Sequence, residues 1–288
     1  MYPFKTTKEL EERSRAEKFG LGAFNTNNLE ITHAIAAAMK EENSPAIIAV
    51  SPSAMQYAGA RYISSIARLA AEEGLEVALH LDHGTSLEHV MLAIRNGFSS
   101  VMIDASKLPF EENIALTNKV VEIARPLGIS VEAELGKIFG AEDQVVITER
   151  EASFTDPEQA KGFVEKTQVD SLAVSIGNAH GFYKGKPELD FERLKEIRSS
   201  IEDKALLVLH GASGIPDEDI RQAIDIGITK INIDTEIRDA FRRGVTEFIQ
   251  ENPQQIDPRK ILKPAIKEMS EVVKRKIRLF GSSGKVQT

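Results

Sequence analysis

VALHLDH, residues 77–83, is a short apolar run that ends on a carboxylate and an imidazole. Seven more runs read the same way: GLGAFN (20–25), AIIAVS (46–51), SVMIDA (100–105), ISVEAEL (129–135), SLAVSIG (171–177), LLVLHGA (206–212) and TKINID (229–234). Runs of this length, apolar and rich in β-branched residues, predict strands buried on both faces. Between them lie stretches with apolar residues at helical spacing, at 29–42, 59–73, 86–97, 111–127, 157–167, 190–202 and 216–226. Strand and helix alternate, as a parallel sheet requires, because parallel neighbours need a crossover connection. An open doubly wound sheet and a closed barrel both satisfy the pattern. Eight strands within 288 residues favour the barrel, a (β/α)8 TIM barrel with additional C-terminal helices over 235–250 and 257–280. One domain spanning 1–288 is therefore expected. The connections at 136–156 and 178–189 are long for this architecture, which marks them as candidate lids or binding loops, and GSSGKVQT (281–288) reads as a loose tail.

Composition narrows the function. Hydrophobic residues make up 42% and charged residues 28%, enough apolar surface to bury a core. A formal net charge of −8 leaves no electrostatic footprint for nucleic acid or an anionic membrane. There is no cysteine, so a zinc ion would have to be held by His, Asp or Glu. The start, Met1 to Lys18, lacks the apolar segment of a signal peptide, and no apolar run approaches the roughly 20 residues of a spanning helix. A cytoplasmic protein is expected.

Asn25, Ser51, Asp82, His83, Asp104, Glu134, His210, Asn232 and Asp234 all fall at or near the C-terminal ends of the expected strands, and His180 follows the sixth. In a barrel those ends converge on one face, where enzymes of this fold build their active sites. Any one histidine reads most simply as a structural residue, but His83, His180 and His210 together form a reasonable catalytic zinc set with an open position. Asp104 and Glu134 would add a second or alternative metal position. His33, His80 and His89 are taken as structural. Asp82 beside His83 is placed either to move a proton or to orient the histidine. The glycine-rich pieces 177–181 and 210–214 let backbone amides approach an anion, with Ser213 and Lys184 nearby, although glycines after strands also simply make turns. Asn232-Ile233-Asp234-Thr235 opens a helix, which is either a phosphate site or an ordinary cap.

FNTNNLE (24–30), HLDHG (80–84), SVMIDAS (100–106), VEAELG (131–136), IGNAHGFYKG (176–185), LHGASGIP (209–216), KINIDTE (230–236) and DPRKIL (257–262) together resemble the class II fructose-bisphosphate aldolase family, which also contains tagatose-bisphosphate aldolases. The resemblance covers nearly the whole chain. It implies zinc on His83, His180 and His210, an additional metal position at Asp104 and Glu134, and Asp82 as catalytic acid or base. It further implies that Gly181, Gly211, Ala212, Ser213, Asn232, Ile233, Asp234 and Thr235 grip a dihydroxyacetone phosphate end. Ser51 would lie near the aldehyde, Asn25 would touch substrate, and Glu142 in GAED (140–143) would exchange the C3 proton. A monovalent cation, Na+ or K+, often assists the phosphate site in this family, and its members form homodimers or homotetramers. Asp234, Glu236 and Arg238 look more like the fructose than the tagatose members, so cleavage of fructose 1,6-bisphosphate is expected and tagatose 1,6-bisphosphate is the alternative. Lys137 to Phe139 and Ser53 depart from the family pattern.

Three rival readings differ in chemistry. A Schiff-base aldolase needs a desolvated lysine at a strand's C-terminal end, whereas Lys230 is expected to start its strand and Lys137 and Lys184 look exposed. A zinc hydrolase of barrel fold would have little use for the phosphate-binding pieces. A catalytically silent scaffold would not need the complete metal and proton-transfer set.

Overall fold

The computed structural model describes residues 3–142, 145–147, 153–181, 183, 185 and 187–287. Eight parallel strands close into a barrel: β1 (Leu21–Asn25), β2 (Ala46–Val50), β3 (Val77–Gly84), β4 (Ser100–Ile103), β5 (Ser130–Leu135), β8 (Ser171–Val174), β9 (Leu206–Leu209) and β10 (Ile228–Ile233), with β10 pairing back on β1. The other two strands, β6 (Gly140–Glu142) and β7 (Val145–Ile147), form a small antiparallel ribbon above the barrel. Helices α2 (Leu29–Glu42), α4 (Ala60–Glu72), α5 (Leu87–Arg95), α6 (Phe110–Ala124), α7 (Pro157–Thr167), α8 (Phe191–Ile201) and α9 (Asp217–Ile226) surround it, joined by α3 (Pro52–Ala58), α10 (Thr235–Glu251) and α11 (Pro258–Phe280). The closed barrel settles the choice that strand and helix alternation left open.

Four local features differ from the sequence expectation. The segment 281–287, expected as a loose tail, is tied down: the Gly284 amide donates to the Glu42 carbonyl at 2.8 Å, and buried Ser282 is bonded to Ser44 at 3.1 Å. The segment 136–156 is not all loop, since it carries the β6–β7 ribbon. The helix expected over 59–73 is preceded by α3, and Gly59, at φ +82°, separates the two helices. The charged start contains α1 (Thr7–Glu17), begun by a capping box in which Thr6 and Glu9 each bond the other's backbone N–H.

Successive side chains of a strand face opposite sides, so each strand sends alternate residues into the barrel and the others to the helices. The outward set packs with the helices into the main core. Leu21, Ala23, Ile47 and Ala78 form a separate small cluster with Leu10 of α1 at the base of the barrel. α1 therefore plugs the N-terminal mouth, and it does so with polar groups as well. Thr7 Oγ1 lies 2.9 Å from Ser100 Oγ and 2.8 Å from Ser130 Oγ, and Ser14 Oγ donates to the carbonyls of Phe19 and Thr229.

Glu11 is fully buried beneath the barrel, where it accepts a hydrogen bond from Thr229 Oγ1 at 2.8 Å. Burial, with Glu132 adding repulsion, pushes its carboxyl up to about 8. Between the ordinary carboxyl range and about 8, the folded chain keeps a proton that the unfolded chain gives up. The stability that Glu11 contributes is present in full at acid pH and is lost as pH rises through that window. Thermal melts of the wild type and Glu11→Gln from pH 5 to 9 should show the variant gaining relative Tm as pH rises. A Tm difference that does not change with pH would show that Glu11 is not protonated in the fold.

Candidate active site

Alternation along β3 sends Ala78, His80 and Asp82 inward and would send His83 out to the helices. The backbone avoids this at His83, which adopts φ +49°, while the register with β4 slips between Leu81 and Gly84. Asp82 and His83 therefore both serve the barrel mouth. Gly84 makes the kink possible, because a Cβ there would lie 2.7 Å from the carbonyl oxygen of Met102.

Three imidazoles meet at this mouth. His83 and His180 rings are 5.1 Å apart, His83 and His210 4.7 Å, and His180 and His210 6.0 Å, each pair edge to face. His83 Nε2 lies 2.9 Å from His210 Nδ1, and His83 Nδ1 lies 2.9 Å from Asp104 Oδ2. Ser106 donates to the other Asp104 oxygen from its amide and its hydroxyl, at 3.1 and 2.7 Å. Glu134 Oε2 is 3.9 Å from His210 Nδ1 and has no hydrogen-bond partner. Ligand atoms of His83, His180 and His210 lie within 4.8 Å of one another, as do those of His83, Asp104 and Glu134.

The electrostatics fit a cation. Burial holds His180 and His210 well toward the neutral imidazole, the form that ligates metals. Burial and the neighbouring Asp104 raise Glu134 well above the usual carboxyl range, a cost that a cation would remove. Burial opposes the imidazolium at His83, but Asp82 and Asp104 outweigh it and push the group to about 10. Asp82 is held low despite its burial, chiefly by His83 and His210. A buried oxygen without a partner, beside three convergent imidazoles, is a donor set suited to zinc.

Asp82 is clamped from two sides: Asn25 Nδ2 donates to Oδ2 at 2.7 Å and Asn232 Nδ2 to Oδ1 at 3.0 Å. The Oδ1 atoms of both asparagines are buried without partners. Ser51 caps α3 and, with Asn27, Asn28, Ser53, Tyr57, Arg238 and Phe241, lines a cleft of about 440 Å³ beside the mouth. Arg238 Nε bonds Asp234 Oδ1 at 2.7 Å. Ser213 Oγ accepts from the amide of Glu236 at 3.4 Å, which links the β9 turn to the start of α10. Ala212 and Ile233 turn their side chains into the core, so only their backbone is available to a ligand. Gly181 is at φ +86°. Lys184 and the side chain of Glu142 lie outside the described residues; the backbone of Glu142 ends β6.

Some residues that build the site were not among those picked from the sequence. Glu132 lies one alternation below Glu134 and bonds His210 Nε2 through Oε1 at 2.9 Å. Lys230 does not start its strand: it is the third residue of β10, fully buried, with Nζ 2.7 Å from Glu132 Oε2. Its Nζ lies in that pair beneath the imidazoles rather than at the strand's C-terminal end, where a Schiff-base lysine would be needed. Asn178 Nδ2 donates to the His210 carbonyl at 3.0 Å, while Tyr183 Oη accepts from the Ala179 amide at 2.8 Å and donates to the Gly211 carbonyl at 2.9 Å. These bonds tie the loop carrying His180 to the turn carrying His210.

The class II fructose-bisphosphate aldolase family pattern matches residues 5–285. The chain belongs to the class II fructose-bisphosphate aldolase family. It is 46% identical to the fructose-bisphosphate aldolase of Thermus caldophilus over 96% of this chain and 98% of that one. It is 44% identical to that of Staphylococcus epidermidis over 99% and 100%. The crystal structure of the YdjI aldolase of Escherichia coli K12 superposes with a TM-score of 0.86 at 38% identity, covering 99% of this chain and 100% of that one.

In this class II aldolase the two histidine loops touch at Gly211, at φ +61°, where a Cβ would lie 2.2 Å from the Ala179 carbonyl oxygen. Gly211→Ala should cost about 1–3 kcal/mol from backbone strain alone. It should also weaken metal binding by parting His180 from His210. Denaturant unfolding and metal titration check both effects, and an alanine variant with wild-type stability would contradict the packing described.

Proposed function

We propose that the chain catalyses the reversible aldol cleavage of fructose 1,6-bisphosphate to dihydroxyacetone phosphate and glyceraldehyde 3-phosphate, with zinc held by His83, His180 and His210. The observation that carries this reading is a carboxylate, Asp82, clamped by two asparagines and adjoining a ligand of a buried three-imidazole set, at the mouth of a class II aldolase barrel. Bound zinc supplies a Lewis acid that stabilises negative charge on the ketone oxygen. Asp104 orients His83 through Nδ1 and, with Glu134, offers an additional metal position.

Asp82 takes the proton of the C4 hydroxyl as the C3–C4 bond breaks, and returns it in the synthetic direction. Asn25 and Asn232 hold its two oxygens, so the carboxylate cannot turn away, and each amide oxygen is left to accept a substrate hydroxyl. Glu142 gives and removes the proton at C3. Gly181, Lys184, Gly211, Ala212, Ser213 and the Asn232 to Thr235 turn hold the ketone-side phosphate, helped by Na+ or K+, while Ser51 and Arg238 in the adjoining cleft hold the aldehyde side. In this reading the protein works in the cytoplasm as a homodimer or homotetramer. Exposed Leu29, Tyr57, Tyr62 and Leu69 support an assembly, and among the described residues no helix is long and apolar enough to cross a membrane.

Coupled-assay cleavage of fructose and tagatose 1,6-bisphosphates, on metal-loaded and chelator-stripped protein, tests the reading. Activity should vanish with the metal and return with zinc, and kcat/KM should favour fructose. A higher value for tagatose would move the substrate, and cleavage that survives complete zinc removal would overturn the mechanism. Asp82→Asn should lower kcat by about 10²–10⁴ while zinc content stays at the wild-type level. A variant that lost its zinc instead would show that Asp82 serves the ligand rather than the substrate.

A further inference from the structure

Beneath the three imidazoles, outside the proposed metal and substrate contacts, lies a layer of Glu132, Lys230 and His80 that meets His210 from below. Glu132, Lys230, His80 and His210 are all fully buried. Glu132 Oε1 lies 2.9 Å from His210 Nε2, and Glu132 Oε2 lies 2.7 Å from Lys230 Nζ. Lys230 Nζ is also 3.4 Å from His80 Nε2, and the far side of that ring, Nδ1, is 2.7 Å from Ser100 Oγ. A lysine ammonium only donates and a carboxylate only accepts, so the polarity of this chain is set at one end by Lys230.

That polarity reaches the metal site. Glu132 is an acceptor at both oxygens, so the His210 nitrogen facing it, Nε2, must carry the hydrogen. In the neutral ring the other nitrogen, Nδ1, is then a bare lone pair, and it is the atom that lies 2.9 Å from His83 Nε2 in the cluster of candidate ligands. A neutral imidazole free of such a constraint would divide between two tautomers, and the one protonated at Nδ1 cannot ligate from that atom.

We propose that Glu132 and Lys230 are positioning residues that lock His210 in the Nε2-protonated tautomer and so keep its Nδ1 lone pair turned to the metal site. This rests on the reading above that His210 is a zinc ligand. Lys230 has two functions here: it neutralises a carboxylate that would otherwise be buried alone, and it forbids any group at position 132 from turning a donor toward it.

The second function makes the proposal testable by a rescue. In Glu132→Gln the side chain has one acceptor and one donor end. Lys230 claims the amide oxygen, so the NH2 faces His210 Nε2, which must then accept, and the ring proton moves to Nδ1. Zinc affinity, measured by competition with a chromophoric chelator, should fall by about 10–100-fold. In the double variant Glu132→Gln/Lys230→Met that claim is gone. The amide oxygen can turn to His210, and its NH2 can face His80 Nε2, which lies 3.6 Å from Glu132 Oε2 in the wild type. Zinc should then bind at least about 10-fold more tightly to the double variant than to the single one, although the double variant is the more heavily altered.

A purely structural role for the pair predicts the opposite order. Unchanged affinity in Glu132→Gln, or a double variant no tighter than the single, overturns the proposal. Nitrogen-15 NMR of the metal-free wild type reads the His210 tautomer directly and needs no variant to fold. Hydrogen on Nε2 is expected, and hydrogen on Nδ1 overturns the proposal. A wild-type chain that binds no zinc would sink the zinc reading, and the NMR measurement would still decide this one.

Discussion

Closing eight parallel strands into a ring creates an interior that side chains must fill, and in this chain the middle of that interior is charged. The apolar floor is made by Leu21, Ala23, Ile47 and Ala78 with Leu10, while the layer above it holds His80, Glu132 and Lys230. Ions this far from water persist only when paired and hydrogen-bonded on every side. The ring supplies that pairing from strands distant in sequence: Lys230 and Glu132 are 98 residues apart, and His210 and Glu132 are 78 apart. The barrel has to close for the pairs to exist, and the pairs in turn fix the geometry of the groups above them.

The site departs from regular structure where its chemistry needs crowding. A strand cannot aim two neighbouring side chains into one space, yet the roles proposed for Asp82 and His83, proton transfer beside a metal ligand, require it. The left-handed backbone at His83 resolves the conflict, with Gly84 giving way behind it. At the opposite rim, Gly211 lets the backbone of one loop rest on the carbonyl of the other. Such strain is tolerable because the β3 and β9 strands beneath are pinned on both sides by neighbours in the ring.

The strand ends were legible in the sequence because their chemistry breaks an apolar run at its last residues, as in VALHLDH, and because a barrel gathers all such ends. Their neighbours one layer down were not. Glu132 in ISVEAEL and Lys230 in TKINID sit inside the runs, where a charged residue reads as a poor strand former. Nothing local reveals that each will meet the other across the barrel axis. The alternation of Glu132 with Glu134 was the one available signal, since it places both on the same face. Helix α1 was missed for a related reason. Its buried side chains include Thr7, Glu11 and Ser14, so it lacks the apolar stripe by which amphipathic helices are read.

That first helix also constrains the order of events during synthesis. Its seat is built by Ser100, Ser130 and Thr229, which follow their partners on α1 by 93, 123 and 218 residues. Translated before the barrel strands, α1 has nowhere to dock until almost the whole barrel has been made, and its polar buried face must stay in water meanwhile. Ring closure and the sealing of its base then become a single late step, so a nascent chain arrested before the eighth barrel strand would hold most of the secondary structure but no finished floor.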